Sequence, residues 1–433
     1  MKKHQIIIII ILLLAFVFFA FNNIEAFLSG LFVNHKILHL NLSVVNHNVT
    51  TLSADLSNRL LLKACVRDDQ DVPVENVAVE FGVVGDFGEI IPLNSKTNKF
   101  GEALAYYVPP DNPRIGEKDT GDEGVEGIES IEGVEGVEGV EGVESVESVE
   151  GVGKKDVSIG EKSTGKYSSS VANLGDEGEN VEIKASINGS SRFSIIDLTL
   201  VRVPVVFIHG YQEDAHAFDN IKEYIDSKGF ETFVFEYPWD NGIIPGAQML
   251  SSFLDDLKKE HMTRGIKIER FDLISHSMGG LVARYYTTEN DYIKRNDVRK
   301  NIFISVPHKG SSWASLGAGY FDDRGIKDMI PDSDLLKDIF PSMINKGLNS
   351  TVSIANLLSM NDEVVTPDNA SLSIWGIKTE LFNLGEEALS VENLIKGSLP
   401  EAKNHKAILN NTKVFERIVQ LLKQKLPYPQ KLR

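Results

Sequence analysis

The sequence contains one cysteine, Cys65, among 433 residues. A single cysteine cannot form an intramolecular disulfide, and it cannot supply the several thiolates of a structural zinc site. Its neighbours read as a strand, so we predict that Cys65 is a small, buried apolar side chain.

Basic residues are scarce relative to acidic ones. The chain has 44 Lys and Arg against 62 Asp and Glu, which gives a formal net charge of −18. A surface of this sign repels phosphates, and nucleic acid is therefore excluded as a partner. The excess is local, because residues 111–153 carry 14 acidic and two basic side chains. About two-thirds of the net charge belongs to this segment.

The only long apolar run lies at the start of the chain, from Ile6 to Phe21, after Lys2 and Lys3. As a helix it would be about 24 Å long, which is short for a membrane span and long for the core of a signal peptide. Residues 1–33 are thus predicted to be either a signal peptide or a membrane anchor. Both alternatives place the rest of the chain outside the cytoplasm.

Residues 44–200 read as strands and turns, interrupted at 111–164 by an acidic segment. Within that segment, residues 124–150 repeat a (Gly/Ser)-(Val/Ile)-Glu triplet. A period of three keeps no face apolar in a helix or a strand, and serine in place of glycine excludes collagen. The repeat is predicted to be a solvated loop.

The flanking motifs ACVRDDQDVPVENVAVEF and KTNKFGEALAYY resemble bacterial Ig-like modules of the invasin/intimin type. The resemblance implies an all-β sandwich without catalytic residues.

From residue 201 onwards the pattern changes to strands that alternate with helical stretches, which predicts an α/β fold with a mostly parallel sheet covered by helices. One stretch, FDLISHSMGGLVARYY, combines a strand, a sharp turn and a helix. A serine at such a turn is exposed above the sheet, and Ser277 occupies that position. Small residues are needed two positions before and after it. Ser275 and Gly279 meet this requirement and flank the predicted nucleophile elbow, with His276 between Ser275 and Ser277.

This stretch, together with the motifs His-Gly-Tyr at 209–211 and Val-Pro-His-Lys-Gly-Ser at 306–311, resembles the lipase/esterase branch of the α/β-hydrolase family. The resemblance covers residues 201–425 and implies a serine nucleophile followed in the chain by an acid and then a histidine. Of the two histidines after Ser277, His308 comes too early for an acid strand to precede it. The resemblance therefore indicates His405 as the base.

The string Asn-Asp-x-Val-Val-x-Pro at 361–367 resembles the loop that carries the acid in this family. It points to Asp362, with its neighbour Glu363 as the alternative. The oxyanion is expected to be bound by the backbone N–H groups of Met278 and Tyr211. The side chains of His276 and His209 are interpreted as structural. The chemistry needs no cofactor, and no metal ligand set is assigned, although some related lipases bind a structural calcium.

Residues 312–349 form a long connection with apolar residues on one side of a helix interrupted by Pro341. It is interpreted either as a mobile lid or as a packed cap.

The sequence as a whole predicts an exported serine hydrolase of carboxylic esters, with a lipid ester as substrate and a lipid surface as a candidate partner. Two alternatives stay open: a surface adhesion protein with a silent hydrolase fold, and hydrolysis of another acyl bond in a phospholipid, polyester or amide. The sequence does not indicate an oligomeric state.

Overall fold

A computed structural model describes residues 38–111, 178–384 and 403–432. The predicted signal or anchor segment and the acidic triplet repeat lie outside the described residues. The chain divides into two compact units. In the part described, the first comprises residues up to 111 together with Glu179–Val201 and Leu257–Glu269, and the second comprises Arg202–Asp256 and the described residues from Arg270 onwards. None of the described helices is long and apolar enough to cross a membrane.

The first unit consists of two β-sheets. One is antiparallel with the strand order β1-β3-β6-β5, and the other has the order β11-β2-β8-β7-β4. Their bounds are β1 His39–Val44, β2 Thr51–Ser53, β3 Leu60–Arg67, β4 Val79–Val83, β5 Glu89–Pro92, β6 Glu102–Val108, β7 Glu179–Ile187, β8 Phe193–Val201 and β11 Ile266–Lys267. An Ig-like sandwich stays a prediction for these residues.

Burial alternates strictly along β3, where Leu60, Leu62, Ala64 and Val66 are buried. Cys65 lies on the opposite face of the strand and is only half-buried, so the expectation of a fully buried cysteine is wrong. The reason is the two-residue period of a strand, which sends neighbours to opposite faces. The sequence also assigns the whole of 201–433 to the hydrolase segment, whereas β11 pairs in parallel with β2 in the first unit.

The second unit is built on a six-stranded parallel sheet with the order β10-β9-β12-β13-β14-β15. These strands are β9 Val205–Ile208, β10 Thr232–Phe235, β12 Phe271–His276, β13 Val298–Ile304, β14 Ser353–Ser359 and β15 Thr379–Phe382. Every residue of β9, β12, β13 and β14 is buried. Continuous burial is expected for parallel strands that are covered on both faces.

Helices connect these strands, as the alternating pattern predicts. The α-helices are α1 Asp219–Asp226, α2 Ile243–Thr263, α3 Met278–Thr288, α4 Tyr292–Arg295, α5 Ser312–Gly317, α6 Arg324–Asp328, α7 Phe340–Ser342, α8 Lys403–Ala407 and α9 Thr412–Lys423. Short 3₁₀ turns lie at Ala215–Phe218, Trp239–Asn241, Ile344–Lys346, Ser373–Trp375 and Ile408–Asn410. The apolar faces of α1 and α9 pack with β9 and its neighbours in one hydrophobic core.

A buried lysine joins β13 to the end of α9. The Nζ of Lys300 donates to the carbonyl oxygens of Leu421, Leu422 and Gln424, at 2.9, 2.5 and 2.8 Å. The carbonyl oxygens in the last turn of a helix receive no hydrogen bond from within the helix, and a cation placed near them is favourable. Lys300 therefore closes the carboxyl end of α9.

The 312–349 region contains α5, α6, a π-helix at Leu335–Ile339 and the single turn α7, in which Pro341 occupies the first turn. The fully buried Arg284 of α3 holds this region. Its Nε donates to the carbonyl of Gly347 at 2.5 Å and its Nη1 to the carbonyl of His308 at 2.9 Å. Its guanidinium lies 4.1 Å from the ring centre of Phe340. Burial lowers the pKa of Arg284 to about 9.

Candidate active site

The turn between β12 and α3 has a strained backbone at Ser277, where the sequence predicts a nucleophile elbow. Ser277 adopts φ 49° and ψ −124°, a region that L-residues rarely occupy. The chain can make this turn because the residues two positions before and after Ser277, Ser275 and Gly279, are small. A Cβ on Gly279 would overlap the carbonyl oxygens of Ile208 and His209. Ser275 is fully buried in β12, and Met278 is the first residue of α3, so its N–H lies among the unpaired donors at the helix start.

An imidazole and a carboxylate are paired on the loops that follow the sheet. The Nδ1 of His405, in α8, lies 2.9 Å from Oδ2 of Asp362, which comes after β14. The Oδ1 of Asp362 accepts the backbone N–H groups of Val364 and Val365 at 2.9 and 2.8 Å. These bonds fix the carboxylate. The alternative acid, Glu363, has its Oε1 on the backbone N–H of Asn404 at 3.1 Å instead.

The pKa values of this pair move in opposite directions. Burial acts to raise the pKa of Asp362, but the charge and hydrogen bond of His405 outweigh it and lower that pKa. Burial acts to lower the pKa of His405, but the charge and hydrogen bond of Asp362, followed by the charge of Glu213, outweigh it and raise that pKa. The environment thus favours an ionised carboxylate beside an imidazole that accepts a proton readily.

One cavity of about 260 Å³ brings Ser277, His405 and Tyr211 together. The rest of its lining is mixed. Five residues are apolar and four are polar, namely Pro307, Trp313, Ala314, Met329 and Val364, and Gln212, Glu213, Ser311 and Lys406. Asp362 does not line the cavity and lies behind His405. A cavity that combines apolar side chains with convergent polar groups is typical of a small-molecule site.

Tyr211 stands where the His-Gly-Tyr motif predicts an oxyanion donor. Its hydroxyl donates to Oδ2 of Asp323 at 2.6 Å, and its ring packs edge-on against Trp239 with 4.8 Å between centroids. The Oδ1 of the same Asp323 caps α6 by accepting the N–H of Ile326 at 2.9 Å. Within the motif, the ring of His209 stacks on Tyr237 at 4.6 Å. His209 thus shapes the loop, in line with its predicted structural role.

A third carboxylate, Glu213, belongs to the site and is missed by sequence reasoning. Its Oε2 accepts the N–H of Gly210 at 2.8 Å and lies 2.8 Å from Nδ1 of His276. The Nε2 of His276 lies 3.1 Å from the carbonyl oxygen of His405. His276 therefore contacts the backbone of the candidate base, although the elbow geometry predicts that its side chain points away from the reacting centre. The sequence gives no signal that separates Glu213 from its neighbour Asp214.

Among the described residues, no group of three or more His, Cys, Asp or Glu side chains is arranged to hold a metal ion.

Residues 244–391, about a third of the chain, match the family model PGAP1, described as a PGAP1-like alpha/beta domain. No curated protein matches the sequence. Solved structures that are similar include Bacillus licheniformis lipase BlEst2 in its propeptide form, with 16% identity and a TM-score of 0.41 over 53% of this chain and 52% of that one. The chain therefore spans about half the length of that lipase.

Aspergillus fumigatus lipase B is similar at 16% identity, with a TM-score of 0.39 over 52% of this chain and 54% of that one. A soluble variant of Saccharomyces cerevisiae monoglyceride lipase has 15% identity and a TM-score of 0.36, over 60% of this chain and 98% of that one. The second unit therefore has an α/β fold built on a parallel sheet, and residues 244–391 are similar to the PGAP1-like alpha/beta domain.

Proposed function

We propose that the protein is a serine hydrolase that cleaves carboxylic esters, with Ser277 as the nucleophile, His405 as the base and Asp362 as the acid that orients it. The observation that carries the proposal is the shared cavity. Ser277 at a strained elbow and His405, paired with a buried carboxylate, line the same pocket. A nucleophile, a base and an orienting group in this order are the parts that acyl transfer requires.

The reaction begins with attack of the Ser277 Oγ on the ester carbonyl, while Nε2 of His405 takes the hydroxyl proton. The tetrahedral oxyanion accepts hydrogen bonds from the backbone N–H groups of Met278 and Tyr211, and the start of α3 favours its charge. Collapse breaks the ester C–O bond, and His405 returns the proton to the leaving alcohol. Asp362 stabilises the imidazolium in between. Water then attacks the acyl-enzyme with the same assistance, which releases the acid and restores Ser277.

The lining of the cavity supports an apolar acyl group. Trp313, Met329 and Val364 provide apolar surface next to Ser277, and burial of an acyl chain against them is favourable at about 25 cal/mol per Å². We propose a lipid ester as substrate and a lipid surface as its source. Phospholipid, polyester and amide substrates use the same chemistry and stay alternatives. Export, with residues 1–33 as signal peptide or anchor, is part of the same proposal.

Covalent labelling with a fluorophosphonate probe separates a hydrolase from an adhesion protein with a silent fold. We expect stoichiometric labelling of the purified protein and none of Ser277→Ala. Absence of labelling, or equal labelling of both proteins, contradicts the hydrolase. Hydrolysis rates for p-nitrophenyl esters of increasing chain length then test the substrate class. A rate that peaks at acetate and falls by octanoate contradicts a lipid ester.

A further inference from the structure

A second histidine–carboxylate pair lies beneath the candidate base. The side chain of His276 is 0% exposed and that of Glu213 is 6% exposed, and their Nδ1 and Oε2 atoms are 2.8 Å apart. The ring centroid of His276 lies 4.7 Å from that of His405. The mechanism above assigns no proton transfer to either Glu213 or His276, so this buried pair needs a role of its own.

The hydrogen bonds of the pair define the protons that it carries. On one side, Nδ1 of His276 faces a carboxylate oxygen of Glu213, and on the other side Nε2 faces the carbonyl oxygen of His405. A carbonyl oxygen and an ionised carboxylate are both acceptors, and a neutral imidazole has only one N–H to donate. Both contacts are hydrogen bonds only when each ring nitrogen carries a proton. An imidazolium paired with a carboxylate satisfies the whole arrangement.

Ionisation of Glu213 fits this assignment. Burial acts to raise the pKa of Glu213, but the charge and hydrogen bond of His276 outweigh it and lower that pKa to about 2. The titratable groups that face His276 are Glu213, from the loop after β9, and His405, from α8. When His405 is charged, Asp362 compensates that charge at 2.9 Å.

The pair joins the two loops on which the proposed chemistry depends. The Oε2 of Glu213 also accepts the N–H of Gly210, the residue before the proposed oxyanion donor Tyr211. A Cβ on Gly210 would lie 2.8 Å from that oxygen and 2.9 Å from the Cβ of Ser277, so the backbone is held against the nucleophile. His276 holds the backbone of His405 from the other side.

We propose that Glu213 is a positioning residue that keeps His276 doubly protonated and thereby fixes the oxyanion loop and the loop of the base relative to Ser277. The role in catalysis rests on the proposed function, whereas the protonation of His276 does not. An amide at position 213 cannot preserve the arrangement. If its oxygen accepts from Gly210 and Nδ1, the resulting neutral His276 has no proton for the carbonyl of His405. If its nitrogen donates to Nδ1, the N–H of Gly210 loses its acceptor.

Nitrogen-15 imidazole NMR of the full-length protein tests the protonation directly, without any need for activity. The signals of His276 are assigned by their loss in His276→Asn. At pH 8 we expect both ring nitrogens of His276 to resonate as protonated nitrogens, and in Glu213→Gln we expect one of them to shift to the unprotonated position. A neutral His276 in the unmodified protein overturns the proposal, and so does an imidazolium that persists in Glu213→Gln.

Kinetics of the same variant test the positioning role. We expect Glu213→Gln to lower kcat by roughly tenfold to a hundredfold, because small displacements of reacting groups cost that much, and to leave KM within about twofold. The neighbouring substitution Asp214→Asn is the matched control and should leave kcat unchanged. An unchanged kcat in Glu213→Gln contradicts the positioning role. Failure of the proposed function is recognised separately, because the unmodified protein then does not react with the fluorophosphonate.

Discussion

Asp362 holds both of its carboxylate oxygens within 3.0 Å of Nδ1 of His405, while its neighbour Glu363 bonds the backbone at Asn404. The two adjacent acids therefore have different roles in the site. One faces the imidazole and orients it, and the other ties down the first residues of α8.

The difference between these acids predicts the effect of two isosteric substitutions. Asp362→Asn should lower kcat by about 10³-fold or more, because an amide no longer selects the tautomer of His405 that accepts the serine proton. Glu363→Gln should change kcat by less than about threefold, since its oxygen still accepts the N–H of Asn404. Steady-state ester hydrolysis measures both. Equal losses in the two variants would contradict the assignment of the acid.

The raised pKa of His405 predicts the acid limb of the pH profile. The base must be neutral to take the proton of Ser277, so activity rises as the pH rises through the pKa of His405. That pKa lies above its ordinary value of 6.5. The midpoint of the acid limb of kcat/KM should therefore lie at a pH above 6.5. In Asp362→Asn the residual activity should show a limb at lower pH, because the main cause of the shift is gone. A limb at pH 5 in the unmodified enzyme is the contrary result.

The shifted pKa values of Asp362 and His405 also make the stability of the fold depend on pH. A histidine whose folded pKa is raised contributes stability that is fully present below its unfolded pKa and is lost as the pH rises through the folded value. For Asp362, whose folded pKa is lowered, the contribution is present above the unfolded pKa and is lost as the pH falls through the folded value. Urea unfolding across pH should therefore show an Asp362→Asn penalty that is largest between the ordinary pKa values of the two groups, 3.8 and 6.5, and that shrinks as the pH falls below 3.8 or rises through the folded pKa of His405. A penalty that stays constant down to pH 3 contradicts this.

Gly279 is predicted to be indispensable for the elbow. A Cβ there overlaps two carbonyl oxygens of β9 and the loop after it, and backbone atoms cannot move aside as a flexible side chain does. Gly279→Ala should destabilise the protein by about 2 kcal/mol or more through overpacking and should remove labelling of Ser277. Gly82→Ala in β4 is the matched control, since a Cβ there meets nothing within 4 Å. Thermal unfolding of the two variants should differ clearly, and similar midpoints would contradict the packing argument.

Arg284 is predicted to be worth more to stability than any exposed cation of the 312–349 region. Replacement by methionine keeps much of the apolar stem but leaves the buried carbonyls of Gly347 and His308 without this donor, at a cost of about 2–4 kcal/mol. Lys337→Met, which removes an exposed ion pair with Asp332, should cost less than about 1 kcal/mol. Chemical denaturation measures both, and a small loss for Arg284→Met would be the unexpected outcome.

Sequence patterns predict the second unit well because its strands are continuous apolar runs and its helices repeat at helical spacing. Motifs with a fixed chain order predict the elbow, the acid Asp362 and the base His405, and the structure brings the last two side chains within hydrogen-bond distance. Two features escape such patterns. A two-residue strand such as Ile266–Lys267 is too short to show a hydrophobic period. The neighbours of Cys65 are apolar on both sides, so the sequence does not decide which face of β3 is buried.

Glu213 escapes for a different reason. Its proposed role depends on two contacts of its own carboxylate, with Gly210 and His276, and on the contact of His276 with the carbonyl oxygen of His405. These segments lie far apart in the chain. A single acidic residue in a polar loop looks the same whether its carboxylate is solvated or buried against an imidazole. Tertiary contacts of this kind have no local sequence signature.

The ammonium of Lys300 in β13 uses three carbonyl groups from the last turn of α9 and the residue after it as its acceptors. A charge placed in the middle of the sheet is thus satisfied by acceptors that lie 121 to 124 residues further along the chain. During synthesis, β13 emerges long before these acceptors exist. The sheet is then expected to reach its final order only after translation has passed Gln424, because a shorter chain would leave this buried cation without these acceptors.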